Sequence, residues 1–375
     1  MVYPTGREVN SDDPAIAGGQ ILFMTSPTAD MIEPAPDQDP FESFRSEFCA
    51  LINIPISSTV IFPSYQEAMR NICSLVSEST VAEDPTLLIS AFGLPKFTRH
   101  LKESDLNYQF VDIEPDSYGI SPRGIVQKIE DIQGVAGIVI GHPFGHPANM
   151  PALERISSDY SIPLIQDCSS AFLAESQGMP VGKTGYASIF SLPQTLGVDG
   201  YSPELDDLTL VIFEDSDEAG PLGLSANTAN TNQRETMEIL LTALRDFPDQ
   251  LQRRRSMIWE LNARLRGIAS VARMSHGRRI QHAYSKFSLK IRGPGWKEDL
   301  ETSIRAFQVE NLEFSSANSE LSLSQAGADS SDQFPVALRT ARDSIILDLH
   351  NGFSESDVDR ISFVTRRIVS WACRS

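Results

Sequence analysis

Between residues 55 and 215 the chain repeats one pattern: a short apolar run, then a stretch with its apolar residues at helical spacing. STVIFPS leads into YQEAMRNICSLV, and TLLISAF, LNYQFVDI, GVAGIVIG and IPLIQDCS follow, with PRGIVQKIEDI and ALERISSDY between several of them. Runs that are apolar throughout, rather than at every second residue, mark strands covered on both faces, as in a parallel sheet. Such strands separated by helices predict an α/β/α layer sandwich.

The chain's 375 residues exceed what one core usually organises, so a second, smaller domain is expected. Residues 1–40 carry Pro4, Pro14, Pro27, Pro34, Pro36 and Pro40 among many Asp, a composition that prevents long helices and predicts an N-terminal arm. From Phe41, FESFRSEFCALI resumes helical spacing and opens a large domain over 41–245. A linker helix and a small α+β domain are expected over 246–375. RETMEILLTALRDFPDQLQRRRSMIWELNARLRGIA reads as helical, interrupted by Pro248, with Arg253, Arg254 and Arg255 as a solvated face. HAYSKFSLKI reads as a strand, DLETSIRAFQVE as a helix, and SESDVDRISFVTRRIVSWA as a closing helix opened by Ser354 with acids in its first turn. ANSELSLSQAGADSSDQ, at 317–333, is a polar Ser-rich loop.

Lys and Arg total 31 against 50 Asp and Glu, a formal charge of -19 that repels phosphate backbones and anionic lipid surfaces. Neither nucleic acid nor a membrane is expected as a partner. No apolar run reaches the roughly 20 residues that span a bilayer, and no basic-then-apolar leader opens the chain, so a cytoplasmic location is expected. Cys49, Cys73, Cys168 and Cys373 lie far apart with no CxxC pair, which predicts reduced thiols rather than disulfides or a metal site. No G-x-G-x-x-G follows a strand and no G-x-S-x-G surrounds a serine, which removes the dinucleotide and α/β-hydrolase fingerprints.

GIVIGHPFGHPANMPALERISSDYSIPLIQDCSSAFLAESQGMPVGKTGYASIFSLPQTLGVDG resembles the centre of a sugar aminotransferase of the DegT/StrS family, a branch of the fold-type-I pyridoxal phosphate enzymes. FESFRSEFCALI resembles that family's opening helix, STVIFPSYQEAM its first cofactor loop, FVDIEPDSYGISP its run from strand to next helix, and FPVALRTARDSIILDLHNGFSESDVDRISFVTRRI its C-terminal pattern. The likeness extends over residues 40–370. It implies a three-layer α/β/α large domain with a small C-terminal α+β domain, a site built between two subunits, and pyridoxal or pyridoxamine phosphate as cofactor. A nucleotide sugar or cyclitol is the implied substrate class.

The resemblance also assigns residues. Asp167 holds the position of the acid that pairs with the pyridine nitrogen. Ser64, Tyr65 and Gln66 stand where the family has its phosphate-binding Ser-Gly-Thr, at a strand-to-helix turn whose free amides favour an anion. Ser191 matches the serine that also contacts phosphate, and Asn230 or Asn232 the asparagine lent by the neighbouring subunit. Leu94 stands where an aromatic ring stacks on the cofactor, unless Phe92 is recruited, and Ser170 where a His or Gln lies near the ring. Tyr65 in place of Gly restricts backbone approach. From the residues alone, Asp167 at the end of an apolar run requires a partner: a protonated ring nitrogen, a helix N-terminus or an Arg.

The largest departure is the amine. The Schiff-base lysine of the family falls in the loop Phe190–Gly197, here FSLPQTLG, with Leu196 near its place. The chain has only seven lysines, of which Lys183 alone lies between Asp167 and the loop's end, in PVGKTG, a polar turn where a solvated lysine is expected. Transamination needs an amine that forms the internal aldimine and shuttles the proton. Two readings follow. In the first, the chain is an aminotransferase-fold homologue that has lost this chemistry and serves sugar or natural-product biosynthesis as an enzyme of altered chemistry or a partner subunit, in a homodimer or a heterodimer with an active relative. In the second, it is a sugar dehydratase-like enzyme with a non-covalently bound cofactor and His142 or His146 of GHPFGHP as the base. The short PLGLSANTA segment after VIFEDSDEAG is expected to leave a more open pocket, and His350 in DLHNGF to cap or pack beside the last strand.

Overall fold

The computed structural model describes residues 39–80, 84–101, 107–198, 207–215, 224, 228–268, 272–273, 279–291, 298–323, 333–349 and 353–373. The expected arm up to residue 38, most of the Ser-rich loop and of the shortened segment, Lys102, Lys297 and His350 lie outside the described residues.

The first helix, α1 (Pro40–Ile52), begins where Asp39 accepts the Phe41 N–H at 3.0 Å and Pro40 fixes the first turn. Phe41, Phe44, Phe48 and Ile52 form its buried stripe. The strands β1 (Thr59–Phe62), β2 (Thr86–Ser90), β3 (Asn107–Val111), β4 (Val135–Gly141), β5 (Leu164–Asp167), β8 (Ala187–Ser191) and β9 (Thr209–Phe213) form a seven-stranded sheet in the order β1-β9-β8-β5-β4-β2-β3. Five strands from β8 to β3 run parallel, while β9 runs against both β8 and β1. The fully apolar runs VAGIVIG and TLLIS become the inner strands β4 and β2, as continuous hydrophobicity requires.

Helices cover both faces, and strand alternation sorts the residues between them. Leu87, Ile89, Val139 and Ile165 pack in one cluster with Tyr65, Ala68, Met69 and Ile72 of α2 (Tyr65–Ser79) and Phe97 of α3 (Pro95–Leu101). Leu88, Ile138, Ile140 and Leu164 face the other way, onto Ile125 of α4 (Pro122–Asp131) and Leu153 and Ile156 of α5 (Met150–Tyr160). The short α6 (Leu192–Leu196) joins α1 and the first half of α7 (Thr231–Arg264) in a further cluster. Small strands β6 (Glu175–Ser176), β7 (Met179–Pro180) and β11 (Ile280–Gln281) make a separate three-stranded sheet.

The C-terminal part is a four-stranded antiparallel sheet, β10-β12-β14-β13, of β10 (Ala272–Arg273), β12 (Lys286–Lys290), β13 (Ser315–Ser316) and β14 (Ser344–Asp348). Its core joins Phe287, Leu289, Ile345 and Leu347 to Phe307 of α8 (Leu300–Val309) and Ile361 and Val364 of the last helix, α10 (Glu355–Ala372). Ser354 opens α10 with a reciprocal cap to Asp357, as the sequence predicts. The helix α9 (Pro335–Asp343) packs back toward the large sheet.

Two expectations are corrected. Pro248 does not interrupt the helix: α7 runs unbroken from Thr231 to Arg264. Phe247 and Leu251 are buried on the large domain and Ile258 and Leu261 on the small one, and this burial outweighs the missing hydrogen bond. The basic triplet is not a solvated face either, since only Arg253 is exposed. Arg254 is buried against the Ala283 and Tyr284 carbonyls at 3.5 and 3.4 Å, and Arg255 donates to the His282 and Leu173 carbonyls at 2.9 and 2.8 Å. Burial lowers the Arg254 pKa to about 10. All four cysteines are free thiols, three of them buried. Among the described residues no helix is long and apolar enough to cross a membrane, and no group of His, Cys, Asp and Glu is placed to hold a metal.

Candidate functional site

The carboxyl ends of parallel strands are where an α/β sheet gathers its loops, and Asp167 ends β5 there. Next to it stands the first turn of α2. Ser64 caps that helix, its Oγ accepting the Glu67 N–H at 3.2 Å, so its hydroxyl serves the helix itself. Tyr65 follows, fully buried, and its hydroxyl donates to Asp167 Oδ2 at 2.6 Å. The Ser169 N–H donates to Asp167 Oδ1 at 3.0 Å. The half-buried acid thus takes its hydrogen bonds from a tyrosine hydroxyl and one backbone amide. Burial, and then the charge of Asp167, push the Tyr65 pKa well above the usual phenol range, so the phenol keeps its proton and remains a donor.

Three further residues enter this site that the reading of the chain did not single out: Ser169, Lys96 and Asp207. Lys96, on the first turn of α3, places Nζ 4.5 Å from the centre of the Tyr65 ring, 2.9 Å from Ser191 Oγ and 2.7 Å from Asp207 Oδ2. Asp207 arrives through the one reversed strand. Ser191 pairs with Thr209, so the residues just before β9 lie at the same sheet edge as the end of β8. Ser191 Oγ donates to Asp207 Oδ1 at 2.7 Å, and the Ser191 N–H donates to Ser169 Oγ at 3.0 Å. The contacts close a circuit: Asp167, Tyr65, Lys96, Asp207, Ser191, Ser169 and back to Asp167. Lysine spacing along the chain pointed only to Lys183. The available signal for Lys96 was its place in a strand-to-helix loop, and all such loops of the parallel strands open on this edge.

The remaining expected residues are dispersed. Gln66 lies half-buried on the first turn of α2. Leu94 is buried, with its N–H bonded to Ser322 Oγ at 3.1 Å, and Phe92 packs edge-on to Tyr118 and Phe144. Ser170 Oγ accepts from Gln194 Nε2 at 3.1 Å, so the loop expected to supply an amine supplies an amide instead. Leu196 is fully buried in the cluster that holds Phe190, Leu192 and Met237. Asn230 caps α7, exchanging hydrogen bonds with Gln233 at 2.9 and 3.0 Å, and Asn232 is exposed on that helix's first turn. Lys183 sits in the turn after β7, apart from the circuit.

The two histidines are placed away from the acid. Residues 166 and 167 point to opposite faces of β5, and His142 bonds Gln166, with Nε2 at 3.1 Å from Oε1. Its Nδ1 accepts the Ala148 N–H at 3.0 Å. Both ring nitrogens are engaged, which fixes the neutral Nε2–H form, and burial lowers its pKa to about 4. His146 Nδ1 lies 2.7 Å from the Pro147 carbonyl, which only a protonated nitrogen can satisfy, and its ring meets His282 edge-on at 5.4 Å. Gly145 makes that packing possible: at φ 86°, a Cβ there would lie 2.7 Å from the Tyr284 nitrogen. Neither imidazole belongs to the circuit around Asp167, so their expected role as bases has no geometric support.

The cofactor implied by the resemblance would place a protonated pyridine nitrogen against Asp167 and a phosphate at Ser191 and the start of α2. The residues as placed do not fit it. Oδ2 of the acid, the atom that would face such a ring, already takes the Tyr65 hydroxyl at 2.6 Å, and Tyr65 is fully buried beside it.

Residues 79–195 match the sequence model of the DegT/DnrJ/EryC1/StrS aminotransferase family. The chain is 30% identical over 83 residues to L-glutamine:2-deoxy-scyllo-inosose aminotransferase of Streptomyces fradiae, covering 22% of this chain and 19% of that protein. It is 25% identical over 150 residues to GDP-perosamine synthase of Escherichia coli O157:H7, 40% of this chain and 39% of that one. The match thus spans about a fifth of the inosose aminotransferase's length. Among solved structures, S. venezuelae DesV in complex with a ketimine intermediate superposes with a TM-score of 0.75 at 16% identity, over 88% of this chain and 89% of that one. DesI in the presence of its TDP-sugar product gives 0.74 at 16% identity, over 90% and 86%. These superpositions establish the fold-type-I aminotransferase architecture.

Proposed function

We propose that the chain, whose residues 79–195 match the DegT/DnrJ/EryC1/StrS aminotransferase model, belongs to that family, has lost Schiff-base transamination and acts in sugar or natural-product biosynthesis without pyridoxal phosphate. In this reading it is a dimeric partner subunit, or an enzyme of altered chemistry on a small-molecule substrate such as a nucleotide sugar. One observation carries the reading: the Tyr65 hydroxyl, 2.6 Å from Asp167, makes the contact that a protonated pyridine ring makes in the family. A buried, neutral phenol already donates to that carboxylate without a cofactor, which lowers what a ring nitrogen would gain there. Leu196, buried where the family has its lysine, supports the same reading.

Lys96 is the one amine in the circuit, and its Nζ is engaged by Asp207 Oδ2 at 2.7 Å and by Ser191 Oγ at 2.9 Å. The dehydratase-like alternative needs both ring space at Asp167 and an imidazole facing it, and neither His142 nor His146 supplies the second.

The test is a titration of the purified protein with pyridoxal phosphate and with pyridoxamine phosphate, followed by near-ultraviolet and visible absorption and by thermal unfolding, with a borohydride-treated sample beside each. No cofactor band and no stabilisation are expected. A stoichiometric cofactor signal, reducible or not, overturns the proposal.

A further inference from the structure

We infer that the site carries its own surrogate ligand, with Tyr65 filling the ring end at Asp167 and Asp207 filling the anion end at Ser191 and Lys96, so that this corner is closed to the phosphate of a pyridoxal-type cofactor. This rests on the reading above and extends it to the opposite end of the site and to a different residue.

A serine hydroxyl and an ammonium converging on one point make a site for an anionic oxygen. Here both converge on Asp207, whose Oδ1 takes the Ser191 hydroxyl at 2.7 Å and lies 2.8 Å from Lys96 Nζ, while Oδ2 lies 2.7 Å from the same nitrogen. A carboxylate is acceptor-only, so it satisfies the donors that would otherwise face a phosphate oxygen. It also places a negative charge where a dianion would have to sit.

The Lys96 and Asp207 side chains keep 30% and 37% of their surface exposed, so the pair stands at the mouth, where an ion from solution can reach it. Tyr65, by contrast, is wholly buried beneath the Lys96 ammonium. The two ends are therefore separable. Removing the acid frees Ser191 and Lys96 without disturbing the phenol on Asp167.

The experiment measures inorganic phosphate binding by calorimetry at constant ionic strength, with chloride as the balancing anion. Asp207→Ala is expected to bind phosphate at least about tenfold more tightly than the parent chain, because a repelling charge is removed and two donors are released. Asp207→Asn, which keeps the shape and drops the charge, should gain in the same direction and decides the matter if the alanine variant does not fold. Adding Lys96→Met to either variant should abolish the gain. Folded Asp207 variants that bind phosphate no better than the parent, or a gain that survives Lys96→Met, overturn the inference. Cofactor binding by the unaltered chain would instead overturn the preceding proposal, so the two failures are distinguishable.

Discussion

A phenol and a pyridinium ring both offer a carboxylate one polarised hydrogen on a flat six-membered ring, the phenol without the charge. At the scale of single residues this explains how Tyr65, standing where a glycine is expected, supplies the half-buried Asp167 with a donor. His142 shows the same principle with a different group. Unfolded, its imidazole takes a proton near pH 6.5; folded, burial holds protonation off until about pH 4. Its folded pKa is depressed, so between those values the unfolded chain binds the extra proton and stability falls as pH falls. Urea unfolding should show a loss of about 3 kcal/mol from this group between pH 7 and pH 4. In His142→Gln that part of the acid limb should flatten; an unchanged limb would show that the imidazole titrates normally.

At the scale of elements, the site depends on one reversed strand. Were β9 parallel to β8, its start would lie at the opposite edge of the sheet and Asp207 could not meet Ser191. Another long-range contact fixes α9. Its N-cap residue, Phe334, has no side chain able to cap, and Asp112 at the end of β3 does so instead, accepting the Val336 and Ala337 amides at 3.0 and 2.9 Å. Two segments that resemble the family separately, FVDIEPDSYGISP and FPVALRTARDSIILD, are thereby joined. Asp112→Ala should lower unfolding stability by about 1–2 kcal/mol, with Asp112→Asn restoring most of it. Equal losses in both variants would show that the cap contributes little. α7 adds the contrast: its helical pattern was legible through the proline, but what holds Pro248 inside it is burial on two different cores.

At the scale of the whole molecule, α7 packs on both the large-sheet and the C-terminal clusters, and an ion cluster ties the C-terminal part together. Lys286 of β12 lies 2.8 Å from Glu320 and 3.2 Å from Asp348, and those two acids raise its pKa despite burial. The proposed dimer belongs to this scale. Sedimentation of the purified chain should give twice its 41.3 kDa mass, at a value that holds on dilution and on addition of pyridoxal phosphate. A chain that sediments as a monomer would remove the homodimer while leaving the Tyr65 argument untouched.

The sequence by itself determined the layer architecture, because runs such as VAGIVIG can be buried only between two layers of helices, and it determined the absence of lysine from the loop Phe190–Gly197. It also showed that Asp167 needs a partner, since a charge at the end of a buried strand cannot stand alone. Which partner it has was decided by tertiary structure. Tyr65 and Asp167 are 102 positions apart, Lys96 and Asp207 are 111 apart, and no local periodicity records such distances. The same holds for the imidazoles: GHPFGHP shows two histidines beside a strand end, but the face on which each ring lies follows from the packing of β4 against β5 and of Gly145 against Tyr284. Side chains that must satisfy one another across the fold are chosen by geometry that exists only once the sheet has formed.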